Sequence, residues 1–175
     1  MKSFKQHIYE KLRVDARNTT KHTLFPKTKG ELQEMIKDEI SKNGNKCSLN
    51  HIDVSRITDM SSLFYASKFN GDISGWDVSN VINMKKMFAW SDCNIDISDW
   101  DVSAVTNMKS MFIGSRFNKD ISKWDVSNVT NMEAMFAYSN FNGDISGWNV
   151  SNVKDMGNMF TSSSLENNPP KWYKE

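Results

Sequence analysis

Three kinds of side chain recur in this sequence at spacings that could do chemistry. Methionines come in pairs three residues apart, Met84/Met87, Met108/Met111, Met132/Met135 and Met156/Met159, and thioethers are ligands for soft Cu(I). Aspartates form a column, Asp53, Asp77, Asp101 and Asp125, continued by Asn149. A row of carboxylates could hold a hard cation such as Ca²⁺, which wants about six to eight oxygens. Serines form another column, Ser79, Ser103, Ser127 and Ser151, and a serine hydroxyl is a nucleophile when a base activates it. The three histidines, His7, His22 and His51, have no carboxylate, serine or cysteine at a spacing that makes a familiar catalytic pair. No nucleotide-binding glycine motif and no zinc spacing is present. A residue that returns in every unit is architecture, because catalysis needs one site. The methionine pairs therefore read as core, no enzymatic activity is expected, and neither a cofactor nor a bound metal is assigned.

What positions these residues is a repeat. Trp76, Trp100, Trp124, Trp148 and Trp172 stand 24 residues apart, and Phe64, Phe88, Phe112, Phe136 and Phe160 keep the same step. One unit runs from Phe69 to Asp92, and copies restart at Cys93, Phe117 and Phe141. A divergent copy begins near Asn45, with Ile52 in the tryptophan column, and a truncated one begins at Leu165. A fixed period of this length means stacked units, each burying its apolar side against its neighbours. In one unit Trp76 and Val78 alternate with Gly75, Asp77 and Ser79, which predicts a short strand with Asp77 facing out. Met84, Met87 and Phe88 fall at i, i+3 and i+4, which predicts a helical turn on the opposite side. Ile73, Trp76 and Val78 keep the L-x-x-L-x-L spacing of a leucine-rich repeat, so the expected fold is an α/β solenoid, a leucine-rich-repeat-like coil. It would carry a parallel β-sheet on one face, short helical turns on the other and an α-helical cap at its N-terminus.

The words ISGWDVSNVINMKKMF, ISDWDVSAVTNMKSMF, ISKWDVSNVTNMEAMF and ISGWNVSNVKDMGNMF resemble the BspA-like leucine-rich repeats of bacterial surface proteins and phages of gut bacteria. The resemblance covers residues 45–175. It implies a right-handed leucine-rich solenoid used for binding. Surface members of that group usually carry an export signal, which this sequence does not show.

Three segments follow. Residues 1–24 are a basic amphipathic leader, with six Lys and Arg against Glu10 and Asp15. Residues 25–46 hold a capping helix, in which Thr28 and Glu31 form a capping box. Leu32, Met35, Ile36 and Ile40 make its apolar stripe, expected to cover Leu49, Ile52 and Val54. Residues 47–175 are the repeats, ended by a cap containing Pro169 and Pro170, which blunt an edge. The leader reads as a flanking helix or an extension of the cap. Its start, MKSFKQHIYEKL, also resembles the capsid-targeting segments of internal head proteins of large tailed phages, with Ile8-Tyr9-Glu10 as a cleavage triplet. That resemblance implies a packaged virion protein. Without a secretory signal, a cytoplasmic or virion-associated location is expected rather than secretion. No apolar stretch is long enough for a membrane span.

Charge divides the same way. Residues 1–46 carry 11 basic and 6 acidic side chains, and residues 47–175 carry 11 basic and 15 acidic. The repeats are therefore net −4, a poor partner for nucleic acid. Stacked aspartates ~4.8 Å apart repel by about 1 kcal/mol in bulk water and roughly 3 at an effective dielectric near 20. Three arrangements could offset this: hydrogen bonds from serine or backbone donors in adjacent coils, a basic partner, or a cation. The neighbouring column, His51, Gly75, Asp99, Lys123, Gly147 and Lys171, varies on this constant frame, as do Tyr65, Trp90 and Tyr138. The reading is a protein–protein interaction module. Its candidate contacts are Asp53, Asp77, Asp101, Asp125, His51, Lys123, Trp90 and Tyr138.

Overall fold

The structure, a computed structural model, describes residues 22–174. Its one helix among these residues, α1, spans Lys29–Asn43. The start follows from Thr28, whose Oγ1 accepts a hydrogen bond from the Glu31 N–H at 3.2 Å. Glu31 accepts in turn from the Lys27 N–H. The end follows from Gly44, which sits at φ 81 and donates to the Ile40 carbonyl. Leu32 and Ile36 are fully buried, and Met35 and Ile40 pack against the core beside them. Before the helix, Leu24 makes a parallel bridge to Ile52.

The repeats do not form the expected α/β solenoid. Among the described residues there is no β-sheet, only isolated parallel bridges. The segment 76–78 is not a strand, although Trp76 and Val78 are buried and Asp77 is exposed as period-2 alternation required. Its backbone donors are spent locally. Asp72 accepts from the Ser74 N–H, Asp77 accepts from the Ser79 N–H, and the Trp76 and Val81 N–H groups bond carbonyls three residues back. Side-chain acceptors that satisfy nearby N–H groups compete with a strand ladder, and here they win.

The predicted helical turn is absent for a different reason. Lys86 and Trp90 lie at φ 57, as do their equivalents in other units within a few degrees, and a left-handed residue cannot continue a right-handed helix. The segment is instead a run of consecutive turns. N–H groups of Met87, Ala89 and Ser91 bond carbonyls three residues back, while those of Met84, Lys86, Phe88 and Trp90 reach the carbonyls of Asn107, Lys109, Met111 and Ile113 in the next unit. The regular parallel bridges, Asp59 to Asn83 to Asn107 to Asn131 to Asp155, also lie beside this segment. Main-chain pairing between units is thus concentrated opposite the side where the sequence placed it.

The core runs through the middle of the stack. Phe64, Phe88 and Phe112 lie nearly parallel with centroids 5.6 Å apart, and Phe112 to Phe136 repeats the distance. Each phenylalanine meets the indole 12 residues later, half a unit on: Phe88 with Trp100 at 6.2 Å, Phe112 with Trp124 at 6.3 Å. The two sides of a unit therefore close on one another. Burying each such ring contributes about 1.5–3 kcal/mol. The methionine columns are part of this core: Met84, Met87, Met108, Met111, Met132 and Met135 are fully buried.

Candidate functional site

On the tryptophan side each indole Nε1–H donates to a carbonyl 27 residues earlier. Trp76 reaches Leu49, Trp100 Ile73, Trp124 Ile97, Trp148 Ile121 and Trp172 Ile145, at 2.9–3.2 Å. A buried indole needs a partner for its N–H, and this one locks the offset between units. Asn80, Asn128 and Asn152 add Nδ2 bonds to the Ser55, Ser103 and Ser127 carbonyls. Side chains thus do here what backbone pairing does on the far side.

The carboxylates stand on this frame. Asp53, Asp77, Asp101 and Asp125 each accept from the N–H of the serine two residues on, with Asn149 doing the same to Ser151. Hydroxyl donors add to this at Asp53 and Asp77, at 2.6 Å. The donors expected from adjacent coils are therefore in the same coil. A second row, Asp72, Asp96, Asp120 and Asp144, makes the same turn with Ser74, Ser98, Ser122 and Ser146. The word Asp-x-Ser, occurring twice per unit five residues apart, was its signal. Those aspartates are not among the contacts expected from the sequence.

Electrostatics follows from the turns. The Ser127 hydroxyl and N–H hold the Asp125 carboxyl below the ordinary aspartate value. Ser98 does the same for Asp96, helped by Lys119, and Ser122 and Ser146 for Asp120 and Asp144. At Asp53 partial burial pushes upward, but the Ser55 hydroxyl and N–H, with His22 and Arg56, outweigh it and the net shift is downward.

The eight predicted contacts do not form one site. Asp77, Asp101 and Asp125 stay exposed in one row, with Asp53 half-buried at its end. His51 is drawn under the cap, its Nε2 3.4 Å from Glu39 of α1. Lys123 joins Asp96, Ser98, Asp99, Lys119 and Asp120 around a shallow hollow of about 260 Å³, beside the second aspartate row. Trp90 and Tyr138 belong to the ladder side, where each N–H donates to the next unit. There the two rings, 53% and 54% exposed, stack on each other. No group of three or more His, Cys, Asp or Glu side chains is placed to hold a metal ion among the described residues. Cys93, in the column of Phe69, Phe117 and Phe141, is buried, and that burial pushes its thiol up to about 12. Both cysteines are free thiols. The leader and its Ile8-Tyr9-Glu10 triplet lie outside the described residues, and no described helix is long and apolar enough to cross a membrane.

A chain whose 24-residue units restate one set of turns and one aromatic column is a repeat protein. It belongs to the family described as Mycoplasma protein of unknown function, DUF285, whose model matches it twice, over residues 30–136 and 90–174. No curated protein and no solved structure matches it.

Proposed function

We propose that the chain is a non-enzymatic protein-binding module of the kind used by BspA-like repeat proteins, and that the aspartate side is its contact face. The observation that carries this is the uniform anchoring of the carboxylates. In both rows one oxygen is held by the serine two residues on. Each carboxylate is therefore ordered before any partner arrives, and ordering it on binding costs little further entropy. The lowered carboxyl values keep Asp53, Asp96, Asp120, Asp125 and Asp144 charged well below neutral pH. A basic protein surface is the partner chemistry that such rows suit.

The test is affinity capture from the source cell with the full chain and with Asp77→Asn/Asp101→Asn/Asp125→Asn. A basic partner retained by the unmodified chain, released by salt and lost with the triple variant is the expected result. Capture indifferent to the triple variant would remove this row from the contact face.

A further inference from the structure

Trp90, Gly114 and Tyr138 occupy one column of the repeat, and all three are left-handed, at φ 57, 62 and 57. Ala66 and Ser162 hold the same column at φ 51 and 52, so the architecture asks for no aromatic ring there. The two rings are half-exposed, so their contribution to the core is small. They nevertheless come together across 48 residues of sequence, with centroids 6.3 Å apart and planes 23° from parallel. That is an offset pair, within the ~4.5–7 Å range of such pairs, which leaves ring surface uncovered.

Gly114 makes the arrangement possible. A Cβ there would lie 2.2 Å from Cε3 of Trp90, with Cζ3 and Cδ2 close behind. The six-membered ring of Trp90 therefore lies across the outward direction of Gly114 and spans the unit between itself and Tyr138. Two residues further along the same units stand Asp92, Arg116 and Asn140, whose N–H groups donate to the Ser67, Ser91 and Ser115 carbonyls. Asp92 and Arg116 form an exposed ion pair at 3.1 Å, and Asn140 is exposed.

An aromatic pair with hydrogen-bonding side chains two residues further along the chain suits a ligand that has a flat apolar face and a polar edge. A pyranose ring presents a flat C–H face for an aromatic ring and hydroxyls at its edge for carboxylate, guanidinium and amide groups. We propose that Trp90 and Tyr138, with Asp92, Arg116 and Asn140 beside them, form a binding strip for a neutral hexose oligosaccharide. Asp92 and Arg116 neutralise each other, which leaves the one net charge of this row on Lys68, a unit before Asp92. The Arg116 cation is thus already paired, and the repeats are net −4, so a polyphosphate has little to hold it. This site is separate from the aspartate face and does not depend on it.

An array of neutral hexo-oligosaccharides probed with the full chain, followed by titration calorimetry on the glycans that bind, tests the proposal. Trp90→Ala and Tyr138→Ala are each expected to weaken binding at least tenfold while leaving the melting temperature in place, because both rings are half-exposed. Gly114→Ala is expected to weaken it similarly by displacing Trp90, and Ala66 and Ala134 show that alanine is tolerated at positive φ. Asp77→Asn/Asp101→Asn/Asp125→Asn is expected to bind as the unmodified chain does. A silent array, or glycan binding unchanged in both aromatic variants, overturns the proposal. So does glycan binding lost only in the aspartate variant, or a protein partner that needs the two rings while no glycan does.

Discussion

The two sides of each unit solve the same problem with different atoms. On the methionine and phenylalanine side, alternate main-chain N–H groups cross to the next unit, as from Met108, Ser110, Phe112 and Gly114 to Asn131, Glu133, Met135 and Ala137. On the tryptophan and aspartate side, side chains make crossing bonds, through indole Nε1–H and asparagine Nδ2–H. Backbone pairing is indifferent to side-chain identity, so the first side can vary its surface residues freely. Side-chain pairing demands the same residue in each unit, and the tryptophan and Asp-x-Ser words are accordingly repeated with little change. Where the demand lapses the bond lapses too: Ala104 stands where Asn80 and Asn128 bond backward.

This contrast can be broken at several strengths. The largest effect is expected where the two sides meet. Phe112→Ala removes a fully buried ring stacked between Phe88 and Phe136, and should lower unfolding free energy in a denaturant titration by about 3–5 kcal/mol. Trp124→Phe keeps a ring but leaves the buried Ile97 carbonyl without its indole donor. A loss of about 1–3 kcal/mol is expected. An equal loss for a surface residue of the ladder side, such as Lys85→Ala, would erase the distinction between the sides.

Acid should act on the tryptophan side first. The carboxyls of Asp96 and Asp125 are held low by Ser98 and Ser127, so at a pH near the ordinary aspartate value the unfolded chain binds more protons than the folded one. Their stabilisation is complete above that value and is lost as pH falls through the lower folded values. Melting temperature should therefore drop on acidification below about pH 4, and less steeply in Ser98→Ala/Ser127→Ala. An identical acid profile in that variant would show that the turns contribute nothing. The smallest effect is expected at Lys86, where φ is 57. Lys86→Gly should be within about 0.5 kcal/mol of neutral, since relief of the left-handed strain offsets the added freedom of the unfolded chain. The same change at Lys85, which is not left-handed, should destabilise by roughly 1 kcal/mol.

Much of the core was legible in the sequence. A 24-residue step in Trp, Phe and Met named columns that are buried in the structure, and Thr28 and Glu31 marked the start of α1. The pattern Trp76-Asp77-Val78 also told which residue faces water. It did not tell that the segment is no strand, because alternation of burial arises equally from an extended stretch between two turns. The candidate site was legible in part. The Asp53, Asp77, Asp101 and Asp125 column emerged from spacing alone, whereas the parallel Asp72, Asp96, Asp120 and Asp144 row, equally periodic, was not among the expected contacts.

What the sequence determined by itself was periodicity, and with it the identity of the stacked columns, since equal spacing in a stack of equal units brings equal residues together. What only the tertiary structure decided was where the backbone hydrogen bonds go. Whether an N–H bonds a nearby aspartate, a carbonyl three residues back or the next unit depends on which acceptor lies within reach once the units are stacked. The same holds for His51 turning to Glu39, a neighbour in space and not in the repeat, and for Trp90 passing over Gly114 of the adjacent unit to reach Tyr138 two units on.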